Sequence, residues 1–308
     1  MKIDLHVHTK TGSDGLLSAD EVFAEAIARN IGLLSITDHD SVDAQERAKS
    51  LAAQGRLSYV TGIELSIAYE HKTPDGRTKS ISLDFLGYDY NIHDEALRDK
   101  LRLIREQRET RARKILANLN TEFDTKGIER FTELDLKKIQ DTVDGAFARP
   151  HIANYLIAKG IVKDTREAFD MYLVKCDVPK YPLSIAEASK LVRGAGGLLA
   201  LAHPNDPQGT SLVSITRDLD EQVQIISDNM LDFIDGIECW HSRHDSATTE
   251  HYLKFARSRN LTVTGGSDCH QKPILMGTLD IPDWVAHQFN RRRGKEADQN
   301  DQECRCER

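Results

Sequence analysis

Long apolar runs are missing from this chain of 308 residues: none approaches the roughly 20 residues a membrane-spanning helix needs, which excludes a membrane partner and predicts a soluble protein. A leader is missing as well. Met1-Lys2-Ile3-Asp4-Leu5-His6 runs straight into polar residues with no apolar h-region, so a cytoplasmic location is expected. Cysteine is scarce and odd in number, five residues at irregular spacing (Cys176, Cys239, Cys269, Cys304 and Cys306), which excludes a disulfide framework and predicts reduced thiols. Cys304 and Cys306 have no second pair to complete a zinc site. Excess positive charge is absent too: the net charge of −8 argues against a protein that coats duplex DNA through many phosphate contacts. A small anionic substrate stays compatible, because bound metal ions reverse the sign of a local field.

What is present is a βα grammar. Residues 2–9 alternate like a strand, residues 18–30 read as a helix opened by a Ser18/Glu21 capping box, and residues 33–37 read as the next strand. Strand-like runs recur at 57–65, 81–88, 198–202, 234–239 and 261–265, and a second Ser/Glu pair, Ser184 and Glu187, opens a helix that Gly196-Gly197 stops. Repeated βα units predict a mostly parallel sheet or barrel. Between 94 and 182 the pattern turns helical, with a long basic helix over 94–120 and further pieces at 151–159 and 165–174. The expected organisation is therefore a discontinuous barrel domain, 1–93 with 183–289, a helical insertion at 94–182, and a charged tail at 290–308.

Residues able to bind metal fall at the C-terminal ends of these strands. His6 and His8 end the first, Asp38-His39-Asp40 the second, Glu64 lies in the third and Asp84 in the fourth, His203 follows the run at 198–202, and Asp268 and His270 follow the last. In a parallel barrel all such ends open on one face, so positions far apart in sequence converge. Residues two apart on a strand share a side, which pairs His6 with His8 and Asp268 with His270 and turns Cys269 away. A solitary strand histidine is more often packed than ligating. Several together at equivalent positions favour ligation, and mixed imidazole and carboxylate donors suit Zn²⁺, Mn²⁺ or Fe²⁺.

Asp4-Leu5-His6-Val7-His8-Thr9 with Ser13-Asp14-Gly15, then Thr37-Asp38-His39-Asp40, Gly62-Ile63-Glu64, Ala202-His203-Pro204 and Gly266-Ser267-Asp268-Cys269-His270, resemble the motifs of the polymerase and histidinol phosphatase (PHP) family, in order and across nearly the whole chain. The resemblance implies an α/β fold built as a distorted (β/α)7 TIM-like barrel. It also implies two or three divalent cations (Mn, Zn, Fe or Mg): one on His6, His8, Glu64 and Asp268, a second sharing Glu64 with Asp84 and His203, and a third on Asp14, His39 and His270. One position departs from the family pattern: Asp84 stands where a histidine is usual. Residues 147–153 (Phe-Ala-Arg-Pro-His-Ile-Ala) and 178–181 (Val-Pro-Lys-Tyr) are similar to the subgroup acting on AMP and nucleoside 3′,5′-bisphosphates, which implies Arg149, His151, Lys180 and His244 around the substrate.

The activity this implies is hydrolysis of phosphate monoesters of small nucleotides by attack of a metal-bound hydroxide, with Arg149 clamping phosphate and Asp40, His151 or His244 as the acid for the leaving oxygen. The competing readings are a 5′-to-3′ exonuclease on short RNA, guided by the basic helix, an amidohydrolase, and a metal-binding module without turnover.

Overall fold

The computed structural model describes residues 1–73, 76–140, 149–179 and 181–289. Strands β1 (Lys2–Val7), β2 (Ile31–Ile36) and β3 (Ser58–Tyr59) form one parallel sheet, crossed by helices α1 (Ala19–Ala28) and α2 (Gln45–Ala52). The α1 capping box is present, with Glu21 accepting from the Ser18 amide at 2.8 Å, and the helix buries Val22, Phe23 and Ala26. The chain then enters a long hairpin, β4 (Gly62–Lys72) paired antiparallel with β5 (Thr78–Tyr88).

Helix α3 (Glu95–Lys126) follows, 32 residues and thus about 48 Å long at 1.5 Å per residue. Asp94 caps its start by accepting from the Leu97 amide, and Gly127 ends it at φ 66°, a left-handed conformation that costs glycine little. Its two ends belong to different cores. Leu97, Leu101 and Ile104 pack with Leu65, Phe85 and Val192, whereas Ile115, Leu119 and Phe123 pack with Ile139, Ile152 and Leu173. This second core is closed by α4 (Glu133–Gln140), α5 (Arg149–Ala158) and α6 (Thr165–Ala168), which runs on into a π-helical turn at Phe169–Leu173.

Asp135 pins this helical core. Burial raises its carboxyl, but the Thr132 amide (2.8 Å), the Tyr155 hydroxyl (2.7 Å) and Lys159 (3.3 Å) outweigh that and hold it below the usual aspartate range. A depressed folded-state value means the contribution is complete at neutral pH and fades as acid protonates the group, beginning below about 4. Asp135→Ala is therefore expected to lower Tm at pH 7, with the gap to the wild type narrowing in acid. Thermal melts showing a gap as wide in acid as at neutrality would count against this.

The chain returns through α7 (Ile185–Gly194) to β6 (Leu198–Leu201), then α8 (Leu219–Asn229), β7 (Gly236–His241), α9 (Ser246–Arg259) and β8 (Thr262–Gly266). Ser184 caps α7 by accepting from the Glu187 amide, and the Glu187 carboxylate pairs with Lys100 at 2.5 Å, tying α7 to α3. The second sheet has the order β4-β5-β6-β7-β8, antiparallel through β6 and parallel beyond.

The expected parallel barrel thus needs correction. Among the described residues the strands form two hydrogen-bonded sheets rather than one closed (β/α)7 barrel, and the second sheet is mixed, β5 running antiparallel to both neighbours. The sheets meet at two seams, each a single parallel bridge: Val7 with Cys269, and His39 with Glu64. No helix among the described residues is long and apolar enough to cross a membrane. Cys304, Cys306 and the tail lie outside the described residues.

Candidate active site

The seams gather the chemistry. Three groups of ligand atoms each lie within 4.8 Å of one another: His6, His8, Glu64 and Asp268; Glu64, Asp84 and His203; and His8, Asp14, His39 and His270. His6 faces inward from β1 and His8 follows its last residue, Glu64 and Asp84 sit on the β4–β5 hairpin, and His203 and Asp268 occupy the turns after β6 and β8. Asp40, His203 and Asp268 have positive φ (48°, 24° and 53°), a conformation that non-glycine residues rarely keep without compensation. Three such residues at one site point to a function that holds them there.

Neighbours orient the rings. His6 Nδ1 donates to Glu238 at 3.1 Å, and His8 Nδ1 donates to Ser13 Oγ at 3.3 Å, whose hydroxyl is itself donated to Asp38 at 3.0 Å. Both Nε2 atoms are thereby aimed at the same spot, 3.1 Å apart, as a buried partner on the far nitrogen does for a ligating imidazole. Asp38 also receives the Thr9 amide (2.6 Å) and hydroxyl (2.7 Å), which folds the loop after β1. Gly12 is required there, because a Cβ would stand 2.0 Å from Asp38 Oδ2.

The electrostatics show strong charge pairing. Burial opposes protonation of His6, yet Glu238, Glu64 and Asp268 hold it well above its ordinary value. Against the same opposition, Asp268 and Glu64 raise His8 to about 10, and Glu64 raises His203 to about 9. Burial would raise Glu64 and Asp268, but the surrounding imidazoles, His39 and His6 for Glu64 and His6 for Asp268, keep both well below the usual carboxylate range. Glu64 supplies the test of fit for cations. Its Oε2 lies 3.4, 3.2 and 3.1 Å from ring nitrogens of His6, His8 and His39 yet makes no hydrogen bond, and His203 Nδ1 is also buried without a partner. Donors crowded without mutual alignment suit a shared ion better than one another, and the mixed nitrogen and oxygen set fits first-row divalent cations.

Above these groups opens a cleft of ≈ 990 Å³. Ile104, Gln107, Arg108 and Arg111 of α3 line it at the i, i+3, i+4, i+7 spacing of one helix face, and Arg149, His151 and Phe169 line it from the other helices. Arg149 pairs with Asp177 at 2.7 Å, with its guanidinium 5.4 Å from the centre of the Phe169 ring, and Arg111 pairs with the same aspartate. On the opposite wall Arg243 pairs with buried Asp206 at 2.6 Å.

The expected site residues divide accordingly. His6, His8, Asp14, His39, Glu64, Asp84, His203, Asp268 and His270 come together. Arg149, His151 and Asp40 line the cleft, and Asp40 is engaged twice, accepting from the Ser66 amide and from Arg108. His244 does not line it: the ring meets His241 edge to face, donates to the Cys239 carbonyl at 3.1 Å, and is pushed down to about 4 by burial and by His241. Lys180 lies outside the described residues, as do Phe147 and Ala148. Cys269 packs with Val7 and Met276, turned from the ligands. Glu238, His241, which reaches Asp268 at 3.3 Å, and Arg108 escaped the sequence reading as site residues. Glu238 had one available signal, a lone charge within a buried strand.

By comparison with known proteins the chain is a hydrolase acting on phosphoester bonds, a class whose chemistry this site can serve. The PHP domain profile matches residues 4–172, over half of the chain, and the chain belongs to that family. It is 29% identical over 282 residues to a 3′,5′-nucleoside bisphosphate phosphatase of Chromobacterium violaceum, covering 87% of each. It is 27% identical over 273 residues to the 5′-3′ exoribonuclease Rnm of Salmonella typhimurium, covering 87% of this chain and 85% of that one. A crystal structure from Bifidobacterium adolescentis, assigned as a metal-dependent phosphoesterase, superimposes with a TM-score of 0.72 at 26% identity over 94% of this chain and 96% of that one.

Proposed function

We propose that the protein hydrolyses a phosphate monoester of a small nucleotide, AMP or a nucleoside 3′,5′-bisphosphate. The observation that carries this reading is an open cleft, ample for a nucleotide, with three donor sets on its floor and Arg108, Arg111 and Arg149 lining it. The frame is read as a distorted (β/α)7 barrel opened at its seams, with residues 94–182 as a capping domain and a tail at 290–308. Two or three divalent cations are assigned to the nine gathered residues. Bound there, they supply acidified water and neutralise phosphate charge.

The protein's own groups do the rest. Arg149, preset by Asp177 and Phe169, grips two phosphate oxygens with its planar fork, and Lys180 is assigned to the same phosphate end. His151, on the cleft wall, is assigned to protonate the leaving oxygen, because Asp40 is tied to Arg108 and His244 lies behind His241.

A panel of AMP, nucleoside 3′,5′-bisphosphates, histidinol phosphate and sugar phosphates, assayed with Mn²⁺, tests the proposal. Absence of phosphate release from any nucleotide would end it. Arg149→Ala is expected to raise KM about tenfold or more through loss of the bidentate contact, with a smaller fall in kcat. The second reading, a 5′-to-3′ exoribonuclease on short RNA, is favoured by the cationic face of α3 along an open cleft and by the likeness to Rnm. Faster turnover of a short oligoribonucleotide than of any mononucleotide, steeply weakened by salt, would select it.

A further inference from the structure

The three donor sets differ in chemistry. Glu64 turns Oε2 toward the rings of His6, His8 and His39, whereas Oε1 faces His203 Nε2 at 3.0 Å. The set of Glu64, Asp84 and His203 offers one imidazole against two carboxylates. The set around His6 offers two of each, and the set around His39 offers three imidazoles against one carboxylate.

Asp84 is fixed in place for this arrangement. It stands opposite Ser66 in the β4–β5 ladder, on the same sheet face as Glu64. Ser66 Oγ donates to its Oδ1 at 2.8 Å and Thr210 Oγ1 donates to its Oδ2. These two bonds hold both oxygens and keep the short side chain from turning aside. His203 Nδ1, buried and unpartnered, is the second sign that the group is built for something further. Asp84 and His203, themselves buried, line the floor of the cleft, as do Asp14, His39 and His270 of the third set, while His6 and His8 lie beneath it.

Resting on the phosphoesterase reading above, we infer that the Glu64–Asp84–His203 site selects a hard, oxygen-preferring divalent cation, manganese or magnesium, and that Asp84 is the selecting residue. Carboxylate oxygens suit Mg²⁺ and Mn²⁺, whereas imidazole-rich sets suit Zn²⁺ and Fe²⁺. The protein is thereby set up to hold two kinds of cation, one on the carboxylate-rich set and the others on sets with more imidazole.

The test uses the metal-stripped full-length chain titrated with Mn²⁺, with and without competing Zn²⁺, free Mn²⁺ being read by its EPR signal. The wild type should show one equivalent of Mn²⁺ that zinc displaces about tenfold less readily than it displaces the others. Asp84→His should abolish that difference without changing the number of ions bound, and Asp84→Glu should retain it. If circular dichroism shows Asp84→His unfolded, Asp84→Asn replaces it and should weaken one Mn²⁺ equivalent about tenfold while the zinc count holds. Equal displacement from every wild-type site, or a variant with wild-type selectivity, overturns the inference and leaves the phosphoesterase reading standing. A chain that binds no divalent cation sinks both.

Discussion

Glu64→Ala should remove bound metal at two sites at once and cut kcat/KM by about 1,000-fold, some 4 kcal/mol of transition-state stabilisation. The expectation rests on how its oxygens are divided: Oε1 is 3.0 Å from His203, while Oε2 lies within 3.4 Å of ring nitrogens of His6, His8 and His39. One carboxylate therefore belongs to both neighbouring donor sets. Removing it also leaves several buried imidazoles without their counter-charge, so stability should fall as well. Elemental analysis of the purified variant separates the outcomes. Loss of a single equivalent, matching what Asp84→Ala loses, would refute the sharing.

The second large effect lies in the backbone. Gly266→Ala should destabilise the fold by about 3 kcal/mol and lower Tm by on the order of 5–10 °C. A Cβ at this last residue of β8 would stand 2.3 Å from the His6 amide nitrogen and 2.3 Å from its Cβ. Neither atom can rotate out of the way, so β1 must shift and carry His6 with it. Gly194→Ala is the control, because a Cβ there meets nothing within 4 Å and lies at the end of α7. A Gly266→Ala melt indistinguishable from that control would show that β1 and β8 are not in the close contact described.

How much of this was legible in the sequence differs from one element to the next. Strand parity anticipated the pairing of His6 with His8, whose Nε2 atoms lie 3.1 Å apart. It did not anticipate that of Asp268 with His270, which lie in the turn after β8 and join different donor groups. The groups themselves assemble as the family resemblance implied. The direction of β5 did not follow from apolar content, because the far ends of the two strands, residues 70–72 and 78–80, are polar and mostly exposed. In the structure residues 73–77 separate β4 from β5, too few for a parallel crossover, which needs a dozen or more. The strand-like runs read at 57–65 and 81–88 leave residues 66–80 between them, enough for one. Glu238 was missed because it orients His6 from β7 with no partner close in sequence. Arg108 and Arg111 were visible only among eight basic residues spread around one helix, and which face meets a cleft is settled by tertiary packing. The end of α3 shows the same limit: the reading stopped at 120, while the helix continues to Lys126 because Phe123 is buried in the second core.

Single bridges join the two sheets where Val7 meets Cys269 and where His39 meets Glu64. Each seam rests on a pair of backbone hydrogen bonds, and each lies within two residues of proposed ligands on both of its sides. Each ion would act as a rivet between sheets, adding RT ln(1 + [L]/Kd) to the work of prying them apart. The same residues that prepare phosphate for cleavage would then hold the halves of the protein together, and losing its cations would unbutton the frame as well as silence the chemistry.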